Sequence, residues 1–434
     1  MNKQILRLAI PNIISNITVP LLGMVDLAIM GRLGSELYIG AIALGGMIFN
    51  FIYALFSFLR MGTSGFTAQA FGAKNQKEVI LMMGRSMFFA IAGGLLMILI
   101  QYPIDLLSFV ILDGSQEVEE LAREYFYIRI YAAPASLGIL ALSGWFIGMQ
   151  NSRYPMYVAI FINVVNIIAN LFFVYSLGMK SEGVAWGTLI AQYFGFLLTA
   201  ILFLKKYRYL FKFWDQTVFF DLSRLKRFFK VNTDIIVRTL CLIFALAFFT
   251  AQSAKIDDTI LAVNTVLLQY FFVFSYLTDG FAYAAEALVG KYTGARDLIK
   301  LKKSIRLLFI WGMIISIPFT LTYFLGGNLM LRLLTNNLDV ISAAQPYLIW
   351  IGLVPIITFA AFIWDGIYIG ATASAPMRNT LLISTFLIFL PAYYLLNKPM
   401  GNHGLWLAMM LFMFSRGVFL TIFAKKSIYN LAKD

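Results

Sequence analysis

Residues 183–204 read GVAWGTLIAQYFGFLLTAILFL, an uncharged stretch that closes on Lys205 and Lys206. At about 1.5 Å of rise per helical residue, such a run crosses the roughly 30 Å of hydrocarbon in a bilayer core. Runs of the same kind recur at residues 8–25, 37–59, 86–104, 307–331 and 340–364. The chain has 434 residues, of which 61% are hydrophobic and only 13% charged. A soluble domain cannot cover its surface with so few charges, so the solvent is lipid. In lipid every backbone polar group needs an internal partner, which leaves helices or a closed barrel. These runs are too long and too uniformly apolar for barrel strands. The fold class expected is therefore an all-α integral membrane protein with twelve transmembrane helices.

The spans fall at about 8–29, 38–68, 86–111, 125–148, 154–177 and 183–204, then at about 232–254, 259–288, 305–331, 342–369, 378–397 and 403–424. Residues 1–7 and the apolar stretch after them resemble a signal peptide. Pro11 and Pro20 interrupt that stretch and no small-residue cleavage site follows, so it reads as a retained first helix. The net charge of +13 comes from basic residues that sort to one side of the membrane, notably Lys205, Lys206, Arg208, Lys212, Arg224, Lys226, Arg227 and Lys230. Six fall on the other side: Arg32, Arg123, Lys180, Lys255, Arg332 and Lys398. This asymmetry is the positive-inside pattern and puts both termini in the cytoplasm, as in a bacterial inner-membrane protein. The basic loops are topology determinants, and no nucleic-acid partner is implied.

The polar segment 205–231 divides the chain into a first half, 1–204, and a second, 232–434, with six helices each. The halves repeat. Ala132-Ala133-Pro134 is matched by Leu353-Val354-Pro355, and Gly148 with Pro155-Met156 by Gly370 with Pro376-Met377. Phe71-Gly72-Ala73 answers Thr293-Gly294-Ala295, and Arg85 answers Arg306. Six is even, so both halves enter the membrane in the same sense, as parallel repeats about a cleft suited to alternating access. No G-x-x-x-x-G-K-[ST] loop occurs, so any energy source within this polypeptide is an ion gradient. One cysteine, Cys241, and one histidine, His403, leave no disulfide, no His/Cys zinc site and no histidine-based catalytic set. No cofactor is expected and the chain does not read as an enzyme.

Ionisable groups inside a span cost about 2.5–3.5 kcal/mol at the bilayer centre and need a reason. Asp26 lies late in the first helix with apolar residues on both sides, where a carboxyl held from water can exchange a proton. Asn163, Asn166 and Asn170 share one face of the fifth helix, spaced three then four residues apart. That face points into the interior, where amides can serve either state of a carboxyl or simply bind helices together. Thr188 on the sixth helix can join them. In the second half Asp279 and Glu286 share a face of the eighth helix, and Asp365 sits in the tenth. Arg60, Arg238 and Arg416 are their available countercharges, and Arg129 belongs to the same class. This set reads first as ion pairs that fix packing. The 41 Phe and 19 Met supply an adaptable wall for a cleft.

The stretches PLLGMVDLAIMGRLG (20–34) and LRMGTSGFTAQAFGA (59–73) resemble the multidrug and toxic compound extrusion (MATE) family, and DGFAYAAEALVG (279–290) with WDGIYIGAT (364–372) resembles its DinF (DNA-damage-inducible) branch. The resemblance covers both halves. It implies a V-shaped pair of six-helix lobes that export small amphipathic, often cationic compounds in exchange for protons or sodium; the chain is expected to act as a monomer in the bilayer. It also implies that Asp26, Asn166, Asn170 and Thr188 form the site in the first lobe. The family often has Asp at the position of Asn170. Its absence here removes a cation ligand and favours protons over sodium. Sodium coupling through Asp365 or Glu286 is the near alternative. A flippase for lipid-linked saccharides shares the wider architecture, but such proteins often add helices and line the cleft with arginines. Here the intramembrane arginines are scattered.

Overall fold

The computed structural model describes residues 1–31, 36–112 and 114–430. Arg32, read above as an outer-face cation, and the end of the 20–34 stretch lie outside these residues. Among the described residues there are no strands, and twelve helices are long and apolar enough to cross a membrane. In the first half they are α1 (Asn2–Gly31), α2 (Glu36–Gly72), α3 (Gln76–Leu99), α4 (Gln116–Gly148), α5 (Arg153–Ser176) and α6 (Ser181–Phe213). The second half holds α7 (Leu222–Ile256), α8 (Asp258–Gly294), α9 (Leu298–Leu334), α10 (Leu338–Gly370), α11 (Ser374–Met400) and α12 (Asn402–Tyr429).

Most spans outrun the apolar core that marks them in the sequence, because polar caps and turns extend each helix beyond its uncharged run. The third differs in kind. A single helix over 86–111 was expected, whereas α3 starts at Gln76 and stops at Leu99, and a separate helix covers Gln101–Ile111. Pro103 accounts for the break. Inside a continuous helix it has no N–H to give the Leu99 carbonyl, and its ring collides with that group; near the start of a new helix both problems vanish.

The chain folds as two compact units, one of Met1–Ile13 with Lys226–Asp434 and one of Ile14–Leu225. These differ from the segments 1–204, 205–231 and 232–434 at two places. The first turns of α1 group with the second-half helices, where the Tyr292 hydroxyl donates to Gln4 Oε1 at 3.4 Å. Most of the polar connection groups with the first-half helices. Arg85, only 1% exposed, holds it there. Its Nε donates to the Phe219 carbonyl at 3.0 Å, Nη2 to the Val218 carbonyl at 2.7 Å and Nη1 to Glu78 Oε1 at 2.9 Å. Lys77 donates to Asp215 at 2.6 Å. That hydrogen bond, with a further one from Thr217, holds the Asp215 carboxyl below its ordinary range.

Inside each unit the repeat is written in backbone geometry. After α2 the chain turns at Lys74 (φ 56°), and Asn75 caps α3 by accepting from the Glu78 N–H at 3.0 Å. After α8 it turns at Arg296 (φ 54°), and Asp297 caps α9 by accepting from the Lys300 N–H at 2.9 Å. Gln150 (φ 63°) beyond α4 has its counterpart in Thr372 (φ 51°) beyond α10. Each second-half residue stands 222 positions after its partner. The match of Arg85 with Arg306 is not kept. At this offset Arg85 aligns with Leu307, about 100° further round the helix than Arg306, and Arg306 is exposed where Arg85 is buried.

The same offset relates the tightest helix crossings. A Cβ on Gly144 of α4 would stand 2.2 Å from the Arg60 carbonyl oxygen of α2, and one on Gly366 of α10 would stand 2.2 Å from the Ala282 carbonyl oxygen of α8. One turn on, Gly148 and Gly370 press on the same two partners, with a Cβ 2.8 Å from the Ser64 oxygen and 2.5 Å from the Glu286 oxygen. Lipid offers no hydrophobic drive between helices, so close backbone contact through small residues supplies the attraction. A methyl at Gly144 or Gly366 meets backbone that cannot swing aside. Gly144→Ala and Gly366→Ala should each lower unfolding stability in detergent by about 1–3 kcal/mol. Gly46→Ala, whose added methyl meets nothing within 4 Å, should leave the thermal unfolding midpoint unchanged.

Candidate functional site

In the first half, α1, α5 and α6 bring four of the expected residues into one hydrogen-bonded chain. Asn166 Nδ2 donates to Thr188 Oγ1 at 3.0 Å. Asn166 Oδ1 accepts from Asn170 Nδ2 at 2.9 Å, and the same nitrogen donates to Asp26 Oδ1 at 2.7 Å. Asn166 and Asn170 are wholly buried, and Thr188 and Asp26 nearly so. The fifth-helix stripe is thus a relay whose last donor points at a carboxylate. Asn163, one turn earlier, is not in it. Its Nδ2 donates to the Thr18 carbonyl of α1 at 2.8 Å, fastening α5 to the backbone of the helix that carries Asp26.

Asn170 also leaves a group unpaired. Among the described residues its buried Oδ1 has no hydrogen-bond partner, and it lies against Gly187 of α6, where a Cβ would stand 1.9 Å away. The missing side chain at 187 is the space in which the amide sits. Immediately after Asn170, α5 changes from α to π winding over Phe172–Ser176, a distortion common at functional sites.

Arg129 of α4 is the cation that acts on Asp26 across this site. It is held by aromatic groups. Nη1 donates to the Tyr125 hydroxyl at 2.6 Å, and the guanidinium lies 4.6 Å from the centre of the Phe49 ring. The sequence points to Arg129 but not to its cradle, although Tyr125 stands one helical turn before it, at the i, i+4 spacing that brings side chains together.

The second half is built differently. Arg238 of α7 and Arg416 of α12 both donate to Asp365 Oδ2, Arg416 at 2.7 Å. Arg416 also donates to Met413 Sδ at 3.0 Å. Two guanidiniums on one carboxylate oxygen bind three helices together, and their charge opposes a further cation there, although Oδ1 is buried without a hydrogen-bond partner among the described residues. Glu286 is buried on α8. Arg60, considered with this set, belongs to α2 in the other unit. A second polar lock was not anticipated. Asn264 and Asn402 exchange amide hydrogen bonds at 2.7 and 3.0 Å, and Trp406 Nε1 adds one to Asn264 Oδ1 at 2.8 Å. Its signal in the sequence is an amide, Asn264, within the apolar run of α8 and another, Asn402, at the start of α12.

Two stretches of the chain, residues 11–172 and 235–395, each match the MatE family model. The chain belongs to the MatE family. The double match is the internal repeat seen from outside, and the resemblance to MATE proteins drawn from the sequence holds. DNA damage-inducible protein F of Escherichia coli is 37% identical over 420 residues, covering 96% of this chain and 90% of that one, in keeping with the DinF branch. A probable multidrug resistance protein NorM of Thermotoga maritima is 23% identical over 422 residues, covering 94% and 89%. Among solved structures, a MATE protein crystallised in a bent conformation matches with a TM-score of 0.91 at 20% identity, covering 100% of this chain and 96% of that one. An outward-facing MATE transporter matches at 0.90 and 19% identity, covering 99% and 96%. At those identities the likeness is one of fold. A MatE chain is a membrane transporter and not an enzyme, so the expected class is met.

In this MatE chain the Asn170 amide and Gly187 form one steric unit. Gly187→Ala should destabilise the protein by about 1–3 kcal/mol by driving the amide from its seat. Combined with Asn170→Ala, which removes the obstructed group, the two changes should fall short of additivity by at least about 0.5 kcal/mol. Unfolding of the two single variants and the double variant in detergent reads this directly.

Proposed function

We propose that this protein is a proton-coupled antiporter that exports small amphipathic or cationic compounds by alternating access. Asp26 carries the coupling proton, and Asn166, Asn170 and Thr188 hold its carboxyl in place. One observation carries the reading: the hydrogen-bonded chain of α5 and α6 ends by donating to a single carboxylate, and its amide nitrogen faces that carboxylate while its amide oxygen is turned away. A sodium site needs oxygens converging on the ion. A proton needs one carboxyl that trades between two states, with neighbours able to serve both. Asp365 has its guanidinium partners and takes the structural part, and Asp279 and Glu286 stay with it in the second half.

Helices α1–α6 and α7–α12 are the two lobes in this reading, which lie in the inner membrane of a bacterium with both termini cytoplasmic, as the basic residues sort. The protein acts as a monomer, and its energy source is the proton gradient. The multidrug name of the Thermotoga relative supports the substrate class.

Reconstituted vesicles test the proposal. An imposed pH gradient should drive movement of a fluorescent cationic dye such as ethidium, and a sodium gradient at uniform pH should not. Asp26→Asn should insert and bind dye yet abolish pH-driven transport, and Asp365→Asn should affect stability more than coupling. Dye movement driven by sodium alone, or normal pH-driven transport in Asp26→Asn, would overturn it.

A further inference from the structure

The apolar run of α6 ends at Leu204, and its 22 residues already fill the hydrocarbon core. The helix nevertheless continues to Phe213. Residues 205–213 and the connection after them therefore stand at the level of the lipid headgroups. They are fixed there. Leu210 and Phe219 are buried, and the Trp214 ring occupies the place of a side chain on Gly84 of α3, 2.5 Å from where its Cβ would be. Trp214 and Phe219 pack with ring centres 5.2 Å apart, and Lys77 and Arg85 tie the segment to α3.

What this fixed segment turns outward is mostly aromatic and cationic, with Gln216 and Thr217 beside it. Tyr209, Phe211, Trp214 and Phe220 are exposed, Phe220 by 61%. Beside them Lys205, Lys206, Arg208 and Lys212 are all exposed. The acids of the same segment are neutralised locally, Asp215 by Lys77 and Asp221 by Arg224 at 3.4 Å. A row of aromatic rings with cations that have no carboxylate partner among the described residues, Lys206 and Lys212 lying over the Tyr207 and Phe213 rings, suits one partner at headgroup depth. Tyr209 and Trp214, with one apolar and one polar end, are rings of the kind that settles at the glycerol level, Phe211 and Phe220 add apolar surface, and each cation near an anionic leaflet adds to the attraction.

We propose that residues 205–220 form a preorganised binding surface for anionic phospholipid headgroups in the leaflet where α6 ends. A disordered basic loop would attract such lipids only diffusely. Here docking on α3 has already removed the ordering cost, so the surface selects phosphatidylglycerol-type lipids over zwitterionic ones. The inference does not depend on which ion drives transport.

The full-length protein in nanodiscs provides the test. Bilayers of fixed composition carry the same fraction of brominated acyl chains either on phosphatidylglycerol or on phosphatidylcholine, and the quenching lost in Trp214→Phe isolates the Trp214 signal. Brominated phosphatidylglycerol should quench Trp214 at least about three-fold more than brominated phosphatidylcholine. Replacing Lys205, Lys206, Arg208 and Lys212 together by Gln should bring the ratio to about one, whereas Lys205→Arg, Lys206→Arg and Lys212→Arg together should keep it. Equal quenching by both lipids in the native protein overturns the proposal, as does a preference that survives the glutamine changes. Loss of the preference on adding millimolar inorganic phosphate at constant ionic strength also overturns it, since the surface would then be a site for free phosphate.

Discussion

Nothing in the hydrocarbon interior completes a polar group left without a partner. That constraint orders the molecule at every level. It makes each span a helix, since only a helix satisfies its own backbone. It removes the hydrophobic drive that would hold helices together in water, and so places the strongest crossings where glycine lets backbones touch, at Gly144 against Arg60 and at Gly366 against Ala282. It also gives every intramembrane charge a small number of solutions: pair it, cradle it, or use it.

The two halves take different solutions on one scaffold. The second half pairs its charges, with Arg238 and Arg416 on Asp365, and the result ties α7, α10 and α12 together. The first half gives Asp26 a neutral amide, Asn170, itself held by Asn166, and a cation, Arg129, whose own contacts are to Tyr125 and Phe49. A carboxyl among amides can change charge state without stranding a dedicated partner, whereas Asp365 cannot lose its charge without leaving two guanidiniums uncompensated. This difference between repeats that share caps, turns and crossings is the reason for placing coupling in the first half.

Much of the fold was legible because lipid makes the rules coarse. Apolar length gave the spans, and a common offset gave the repeat. The amide stripe of α5 could be read because three polar residues on one helical face have few places to go in a bilayer. What escaped depends on local geometry. Pro103 lies in an apolar run, so hydropathy alone carried one helix across the break at Ile100. The alignment of Arg85 with Arg306 was one residue out, an error invisible to composition and decisive on a helix, where it turns a side chain from a carbonyl clamp to the surface. Asn163 lies on the stripe but reaches the α1 backbone, and Gly187 shows its purpose only beside the amide that fills its place.

The central claim is that a proton resides at Asp26 and that substrate binding competes with it. The direct measurement is proton release on adding substrate to the purified protein in weakly buffered detergent, followed with a pH indicator dye. The predicted result is release from the native protein and from Asp365→Asn, and none from Asp26→Asn. Undiminished release from Asp26→Asn, or loss of release in Asp365→Asn while that variant still binds substrate, would contradict it.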